Sequence, residues 1–261
     1  AYNLFERTNA RGQALTVSDL LKNHLFSKGD NENKISEFWD QITEDSGSSL
    51  TKMLRYFYVS RQGYIPQNKL YRALKDYGGG NSETLVLEIS DFSDYFNLFT
   101  SLDSHEKLLS YLKSLNMDPE YNEDFDPDRL YCCYQSINAL QHFGMDQPKP
   151  LIYSFLKGFY RLKMHYRPQD KSKSKHRKTI THFLQSLENY HFINNVVCQR
   201  QTNEVEKLYA DYSHKFYTAK TEDIFTAHLY KLYKKLQTQL AKTGEFTENF
   251  KEINYLSKRS D

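Results

Sequence analysis

The chain has 261 residues with 35 Lys and Arg against 33 Asp and Glu, and its net charge of +2 excludes a global field that would demand a nucleic-acid or membrane partner. With 21 Tyr and 17 Phe, aromatic rings rather than aliphatics supply much of the buriable area, while 10 Gly and 6 Pro are too few turn residues for an all-β sandwich of short strands. Three cysteines, two of them adjacent (Cys132, Cys133, Cys198), form neither a disulfide framework nor a zinc site and fit a reducing compartment such as the cytoplasm; no apolar run reaches the roughly 18 residues needed to span a bilayer.

Helical periodicity recurs from the start. Thr16 to Phe26 sets Leu20, Leu21, Leu25 and Phe26 to one side behind Thr16 or Ser18 as a cap. Trp39, within Ser36-Glu37-Phe38-Trp39, reads as an aromatic core anchor. Leu50, Met53, Leu54, Phe57 and Tyr58 repeat the i, i+3, i+4, i+7 spacing, and Leu70 to Tyr77 closes on Gly78-Gly79-Gly80, a helix stop. Ser82 is the expected cap of a helix through Leu85, Leu87, Ile89 and Phe92, and Asp103-x-x-Glu106 reads as a capping-box variant before Leu108, Leu109 and Leu112.

Asp126-Pro127 combines a cap with a first-turn proline before Leu130, Cys133, Ile137 and Leu140. Pro148 and Pro150 introduce a helix from Leu151 to Tyr166. Helices over Thr179 to Cys198, Asn203 to Phe216, Asp223 to Leu240 and Phe246 to Leu256 complete the chain. The fold expected is all-α, an array of about ten helices. No fixed repeat of about 34 or 40 residues is visible, so no solenoid is expected.

The most specific stretch is the first 28 residues. An apolar anchor, Leu4-Phe5, leads to a polar turn at Asn9-x-x-Gly12 and then to a capped helix. Gly12 permits positive φ or close backbone approach by a ligand, and Asn9 offers an amide that both donates and accepts. Arg7, Arg11 and Lys22 place cations around the turn, next to a helix start whose N–H groups suit an anion. The plainer alternative is a helix corner in which Asn9 caps and Gly12 turns.

The run Phe5-x-x-x-Asn9-x-x-Gly12, followed by Leu15, Ser18, Asp19, Leu20 and Lys22-Asn23, resembles a signature of GmrSD-type restriction endonucleases. The resemblance continues loosely through Ile137 to Leu156, Tyr190-His191-Phe192-Ile193-Asn194-Asn195 and Asn203-x-x-Glu206-x-x-Tyr209. It implies that residues 1–28 end an α/β, ParB/sulfiredoxin-like nucleotide-binding domain and that 29–261 form a helical domain of a larger protein. That protein would cleave modified or foreign DNA with NTP, and Mg with it, as cofactor. Phe5, Asn9, Arg11, Gly12 and Lys22 would contribute to the nucleotide pocket. The family's Asp-Gly-Gln-Gln-Arg motif is absent and its His-x-x-Pro nuclease domain is read as absent. The piece is therefore expected to be catalytically incomplete, with no cofactor of its own. A non-catalytic helical scaffold binding protein or nucleic acid is the alternative, and oligomerisation is compatible with either.

A basic stretch carries Arg161, Lys163, Arg167, Lys171, Lys173, Lys175, Arg177 and Lys178 against one acid, Asp170. It reads as a contact for DNA phosphates or as a solvated loop. The acidic stretch Met117 to Asp128 fails as a calcium loop, because a frame starting at Asp124 puts Arg129 and Gln135 where Gly and Glu are required. His165, His176, His182 and His191 share no helix face, no catalytic residue or metal site is legible, and Cys198 reads as a small buried hydrophobe rather than a nucleophile.

Overall fold

In the computed structural model, residues 15–28, 32–115, 127–164, 178–201 and 203–253 are described. Among them are twelve α-helices, one π-helix and no strand, so the fold is all-α. The chain divides into two compact units, Ala1–Thr100 and Ser101–Asp261.

In the first unit the helices are α1 (Val17–Lys28), α2 (Glu32–Ser46), α3 (Leu50–Gln62), α4 (Leu70–Gly78) and α5 (Ser82–Thr100). Thr16 rather than Ser18 caps α1. Asp19 N–H donates to Thr16 Oγ1 at 3.2 Å while Thr16 N–H donates to the Asp19 carboxylate at 2.9 Å, a reciprocal capping box with Asp in the Glu position. Helix α2 has no counterpart among the elements expected from sequence, although Ile35, Trp39 and Ile42 bury one stripe of it; Trp39 is a core residue, as its position suggested. Gly79 takes the left-handed conformation (φ 56°) that ends α4. Asn81, not Ser82, accepts the Thr84 N–H and caps α5, because Ser82 is buried.

Helices α2 and α5 pack in parallel, tied by Lys34 to Glu83 near one end and by Ser46 to Ser93 near the other. Helix α3 crosses α5 in the opposite sense through Phe57–Phe92 and Tyr56–Phe96 edge contacts. Arg61 is only 2% exposed; its guanidinium lies 4.1 Å from the Phe57 ring centre, and its Nε donates to Glu88 at 3.2 Å. Tyr77 Oη donates to the same carboxylate at 2.6 Å, so this buried charge links α3, α4 and α5.

The second unit holds α6 (His105–Ser114), α7 (Pro127–His142), α8 (Lys149–Arg161), α9 (Thr179–His191), the π-helix Phe192–Val197, α10 (Asn203–Thr218), α11 (Glu222–Gln239) and α12 (Thr243–Lys251). Ser104 caps α6 by accepting the Lys107 N–H, while Asp103 pairs with the Lys107 ammonium. Helix α8 begins two residues before its expected start and stops at Arg161, not Tyr166. Its end is a Schellman motif, with Met164 N–H on Phe159 O and Lys163 N–H on Tyr160 O, and Lys163 in the left-handed position at φ 54°.

Alternate helices of this unit stack in parallel. Helix α7 lies on α9 through Cys133–Thr181 (3.4 Å) and Ser136–Glu188 (2.7 Å). Helix α8 lies on α10, with Gly158 against Phe216 and Arg161 donating to Ala219 O at 2.7 Å. Placing like helices side by side is the packing rule of helical-repeat proteins, and it appears here without the sequence repeat that normally announces it. At the centre Phe155 stacks flat on Phe183 (3.8 Å, 9°), with Phe216 edge-on at 5.5 Å and Phe225 at 5.3 Å. Each buried ring stabilises the fold by about 1.5–3 kcal/mol, and each such pair adds about 0.5–1.5 kcal/mol.

The α8–α10 contact tolerates no side chain at Gly158, because a Cβ there would lie 2.6 Å from Phe216 O and 2.8 Å from Phe225 Cε2. Gly158→Ala is expected to lower stability by about 1–3 kcal/mol, since overpacking against backbone outweighs the roughly 1 kcal/mol gain in helix propensity. Gly78→Ala meets only the movable Leu85 Cδ2 and should cost less. Thermal unfolding of the two variants checks both; an equal loss contradicts the close-approach argument.

Candidate functional site

A dense polar arrangement in the second unit surrounds the π-helix. Helix α9 would continue through Phe192 to Val197, but Cys198 N–H donates to Ile193 O at 3.0 Å, an i to i−5 bond that widens the turn. The wider turn lets Asn194 and Asn195, neighbours in sequence, reach different partners. Gln199, at φ 49°, then ends the segment in the left-handed region, and Arg200 N–H returns to Asn194 O at 2.8 Å.

One chain of hydrogen bonds follows from this backbone. Asn195 Nδ2 donates to Arg200 O at 2.7 Å; a carbonyl accepts only, so the amide orientation is fixed and Asn195 Oδ1 faces His191 Nδ1 at 2.6 Å. His191 is therefore protonated on Nδ1, and its Nε2 accepts from Tyr209 Oη at 3.0 Å. Both rings are buried, His191 at 0% exposure. Burial pushes the imidazole from 6.5 down to about 4 and the Tyr209 phenol well above its usual range, while the Asn195 bond pulls His191 weakly upwards. The network is thus neutral near pH 7.

A second branch closes the C-terminus of α11. Asn194 Nδ2 and Arg200 Nη1 both donate to Gln239 O at 3.2 Å, and Asn194 Oδ1 accepts the Ala241 N–H at 2.8 Å. Arg200 then forks onto Glu245 of α12 at 2.9 and 2.5 Å. None of the residues of α12 is buried, and it packs against the π-helix. Arg200–Glu245 is the charged tie that holds it there.

Chemically this arrangement fixes positions; it does not present a reactive group. Cys198 sits beside it, half-buried rather than the buried hydrophobe expected. Its thiol is pushed up by what burial it has and then by the Glu245 carboxylate. Cys133, the buried one, is pushed up to about 11, and all three cysteines are free thiols.

Of the residues singled out from sequence, Phe5, Asn9, Arg11 and Gly12 lie outside the described residues. Lys22 is described: its ammonium is 3.5 Å from Asp40 of α2 and lies over the Phe26 ring. In the basic stretch, Arg167, Lys171, Lys173, Lys175 and Arg177 lie outside the described residues, as do His165 and His176. Arg161 gives a donor to Ala219 O, Lys163 closes α8 with its side chain exposed, and Lys178 is exposed at the start of α9. The sequence does contain one His-x-x-Pro, His165-Tyr166-Arg167-Pro168, contrary to the reading that none is present; it too lies outside the described residues.

His182 is exposed and His191 buried, so those two do not converge. Among the described residues no three His, Cys, Asp or Glu side chains are grouped to hold a metal ion, and no helix is long and apolar enough to cross a membrane. The bonds of His191 to Tyr209, of Asn194 to Gln239 and of Asn195 to Arg200 were missed, since Tyr209 and Gln239 lie 18 and 45 residues away on other helices and no local spacing marks them. Comparison with family models, with curated proteins and with solved structures gave no match.

Because His191 binds fewer protons folded than unfolded, its contribution to stability is complete above pH 6.5 and is lost as the pH falls from 6.5 towards 4. The loss approaches about 3 kcal/mol at pH 4, at about 1.36 kcal/mol per pH unit. Urea unfolding at pH 7 and pH 4.5 should show a smaller difference in His191→Gln than in the parent; parallel profiles refute the assignment. Glu245→Gln should raise amide exchange across 243–251 while leaving global stability little changed, because the tie is solvent-facing. Unchanged protection there would show that α12 is held by something else.

Proposed function

We propose that this chain is the helical, non-catalytic part of a GmrSD-type, NTP-dependent restriction system that acts in the cytoplasm on modified or foreign DNA. What supports the reading is one coincidence. The two stretches that carry the late part of the resemblance, Tyr190 to Asn195 and Asn203-x-x-Glu206-x-x-Tyr209, meet in space through the 3.0 Å bond between His191 and Tyr209. Residues that resemble the family's pattern thus have a shared physical task, holding α9 to α10.

In this reading the turn at Asn9 to Gly12 completes a nucleotide pocket in which Asn9 bonds the nucleotide and Gly12 lets backbone approach a phosphate. Arg11 or Lys22 supplies countercharge, and Lys22 would share its ammonium with Asp40. The basic stretch from Arg161 to Lys178 faces DNA phosphates, and the stacked helices transmit nucleotide state towards it. A second reading, a helical scaffold without nucleotide, draws on the parallel stacking of α7 with α9 and α8 with α10, which in repeat proteins builds extended binding surfaces.

The deciding experiment is DNA cleavage by the full-length protein with and without NTP and Mg. Asn9→Ala should raise the nucleotide concentration needed by about ten- to a hundredfold, the range for losing a hydrogen bond to a charged group. His165→Ala, which tests for a nuclease centre within the chain, should leave cleavage intact. Cleavage indifferent to nucleotide would favour the scaffold, and an unchanged nucleotide requirement in Asn9→Ala would remove Asn9 from the pocket.

A further inference from the structure

A second basic surface lies away from the stretch singled out in the sequence. Between Ile224 and Gly244 the chain has no Asp or Glu but carries Lys231, Lys234, Lys235 and Lys242. At 100° per residue, Tyr230, Lys234, Lys231, Lys235 and His228 follow one another around one side of α11, opposite the buried Phe225, Leu229, Leu232 and Leu236. Tyr230 is 59% exposed, more than any other exposed large apolar side chain among the described residues, and Lys234 lies 4.7 Å from its ring centre.

Helix α10 adds to this face. The ammonium groups of Lys215 and Lys235 both lie over the Tyr212 ring, at 4.7 and 5.4 Å, which brings cations of two helices to one spot. His228 registers the result: its proton affinity is lowered first by burial and then by Lys215 and Lys231, with Asp211 opposing. Asp211, the carboxylate that opposes them at His228, pairs with Lys215 at 2.6 Å.

An ordinary solvated face offers a simpler explanation, but this chain builds such faces differently. On α4 and around α6, Arg72–Asp76 and Lys107–Asp103 are spaced i, i+4 with opposite signs, and Asp211–Lys215 repeats the device on α10. Lys231, Lys234 and Lys235 form no ion pair among the described residues, so their mutual repulsion is left unrelieved within the unit. The complementary ligand is a polyanion, and the exposed ring selects among polyanions. A flat, unstacked base suits Tyr230; an acidic peptide offers none. A bilayer would need more aliphatic surface than the single exposed Ile224 that this face presents beside Ala227 and Thr238.

We propose that the outer face of α11, with Lys215 of α10, binds single-stranded nucleic acid, with Lys231, Lys234 and Lys235 on phosphates and Tyr230 stacked on a base. Lys231 and Lys235 stand one turn apart, about 6 Å along the helix, so they address successive phosphates rather than one. The binding needs neither nucleotide nor cleavage and goes beyond the family reading.

The test is fluorescence anisotropy of the whole chain with a labelled thymidine oligonucleotide of about 16 nucleotides, titrated between about 50 and 200 mM salt. The parent should bind more weakly as salt rises. K231E/K234E/K235E should lose at least about tenfold in affinity and reduce the salt slope by roughly 2, at about 0.7 per lost phosphate contact. Tyr230→Ala should lose about tenfold for the single strand, and Tyr230→Phe should lose little. All four side chains are exposed, and circular dichroism of each variant establishes that it is folded. The proposal is overturned if the parent shows no salt-dependent binding, or if the triple reversal leaves affinity unchanged. It is overturned equally if duplex binds as well as single strand and Tyr230→Ala has no effect, or if polyglutamate or phosphatidylserine vesicles displace the oligonucleotide at equal charge. Loss of binding only in K171E/K173E/K175E would overturn it too, while leaving the family reading standing.

Discussion

The second unit depends on how closely α8 can approach α10. Gly158 sits where Phe216 O and the Phe225 ring occupy the space of any side chain, so two helix backbones touch at that point. That contact sets the parallel arrangement: with 158 fixed against 216, Arg161 reaches Ala219 three residues on, and Phe155 meets both Phe183 and Phe216. The flat stack of Phe155 on Phe183 then fixes α9, and α9 in turn places His191. A polar network buried this deeply is stable only if every member meets its partner, and close packing of the rings supplies that accuracy.

The network explains why a π-turn persists in place of continued α-helix. A regular helix would point Asn194 and Asn195 about 100° apart, and nothing would bond Cys198 N–H to Ile193 O. The distortion costs the local helix some regularity. It is offset by several satisfied hydrogen bonds, among them the two Asn194 bonds that cap α11 and the Arg200 fork that retains α12. Since buried polar groups left without partners are far more costly than exposed ones, the segment is held by what the alternative would leave unpaired.

Much of the helical layout was legible because burial follows i, i+3, i+4 spacing. Leu21 and Leu25, Met53 with Leu54 and Phe57, and Leu130 with Cys133 and Ile137 all lie in cores as their periodicity implies. Helix α2 carries the same signal in Ile35, Trp39 and Ile42, but only three buried apolar side chains stand among mostly polar residues over 32–46, which leaves the stripe faint. The stacking was illegible for a different reason. Cys133 meets Thr181 and Ser136 meets Glu188, 48 and 52 residues on, so the stacking pairs unlike residues at no fixed interval and leaves no repeat in the sequence. The π-turn had no signal either, since Asn194 acts through Gln239 and Ala241, 45 and 47 residues away.

Charge illustrates the same limit of one-dimensional reading. Lys171-Ser172-Lys173-Ser174-Lys175 is conspicuous as a run, whereas Lys231, Lys234 and Lys235 are interrupted by Leu232 and Tyr233. Only the helix sorts them, sending Leu232 to the core and the lysines to one outer sector. Their density on that sector owes nothing to net charge, which is +2 for the whole chain; it arises because acids are confined to the first turn of α11 and resume at Glu245. Glu222 and Asp223 favour the positive end of the helix dipole, and the lysines follow from the middle of the helix, with none in its last turn. The confinement of acids to the first turn, which favours the start of α11, therefore also leaves positive potential concentrated beside Tyr230, and fold and surface chemistry share one cause.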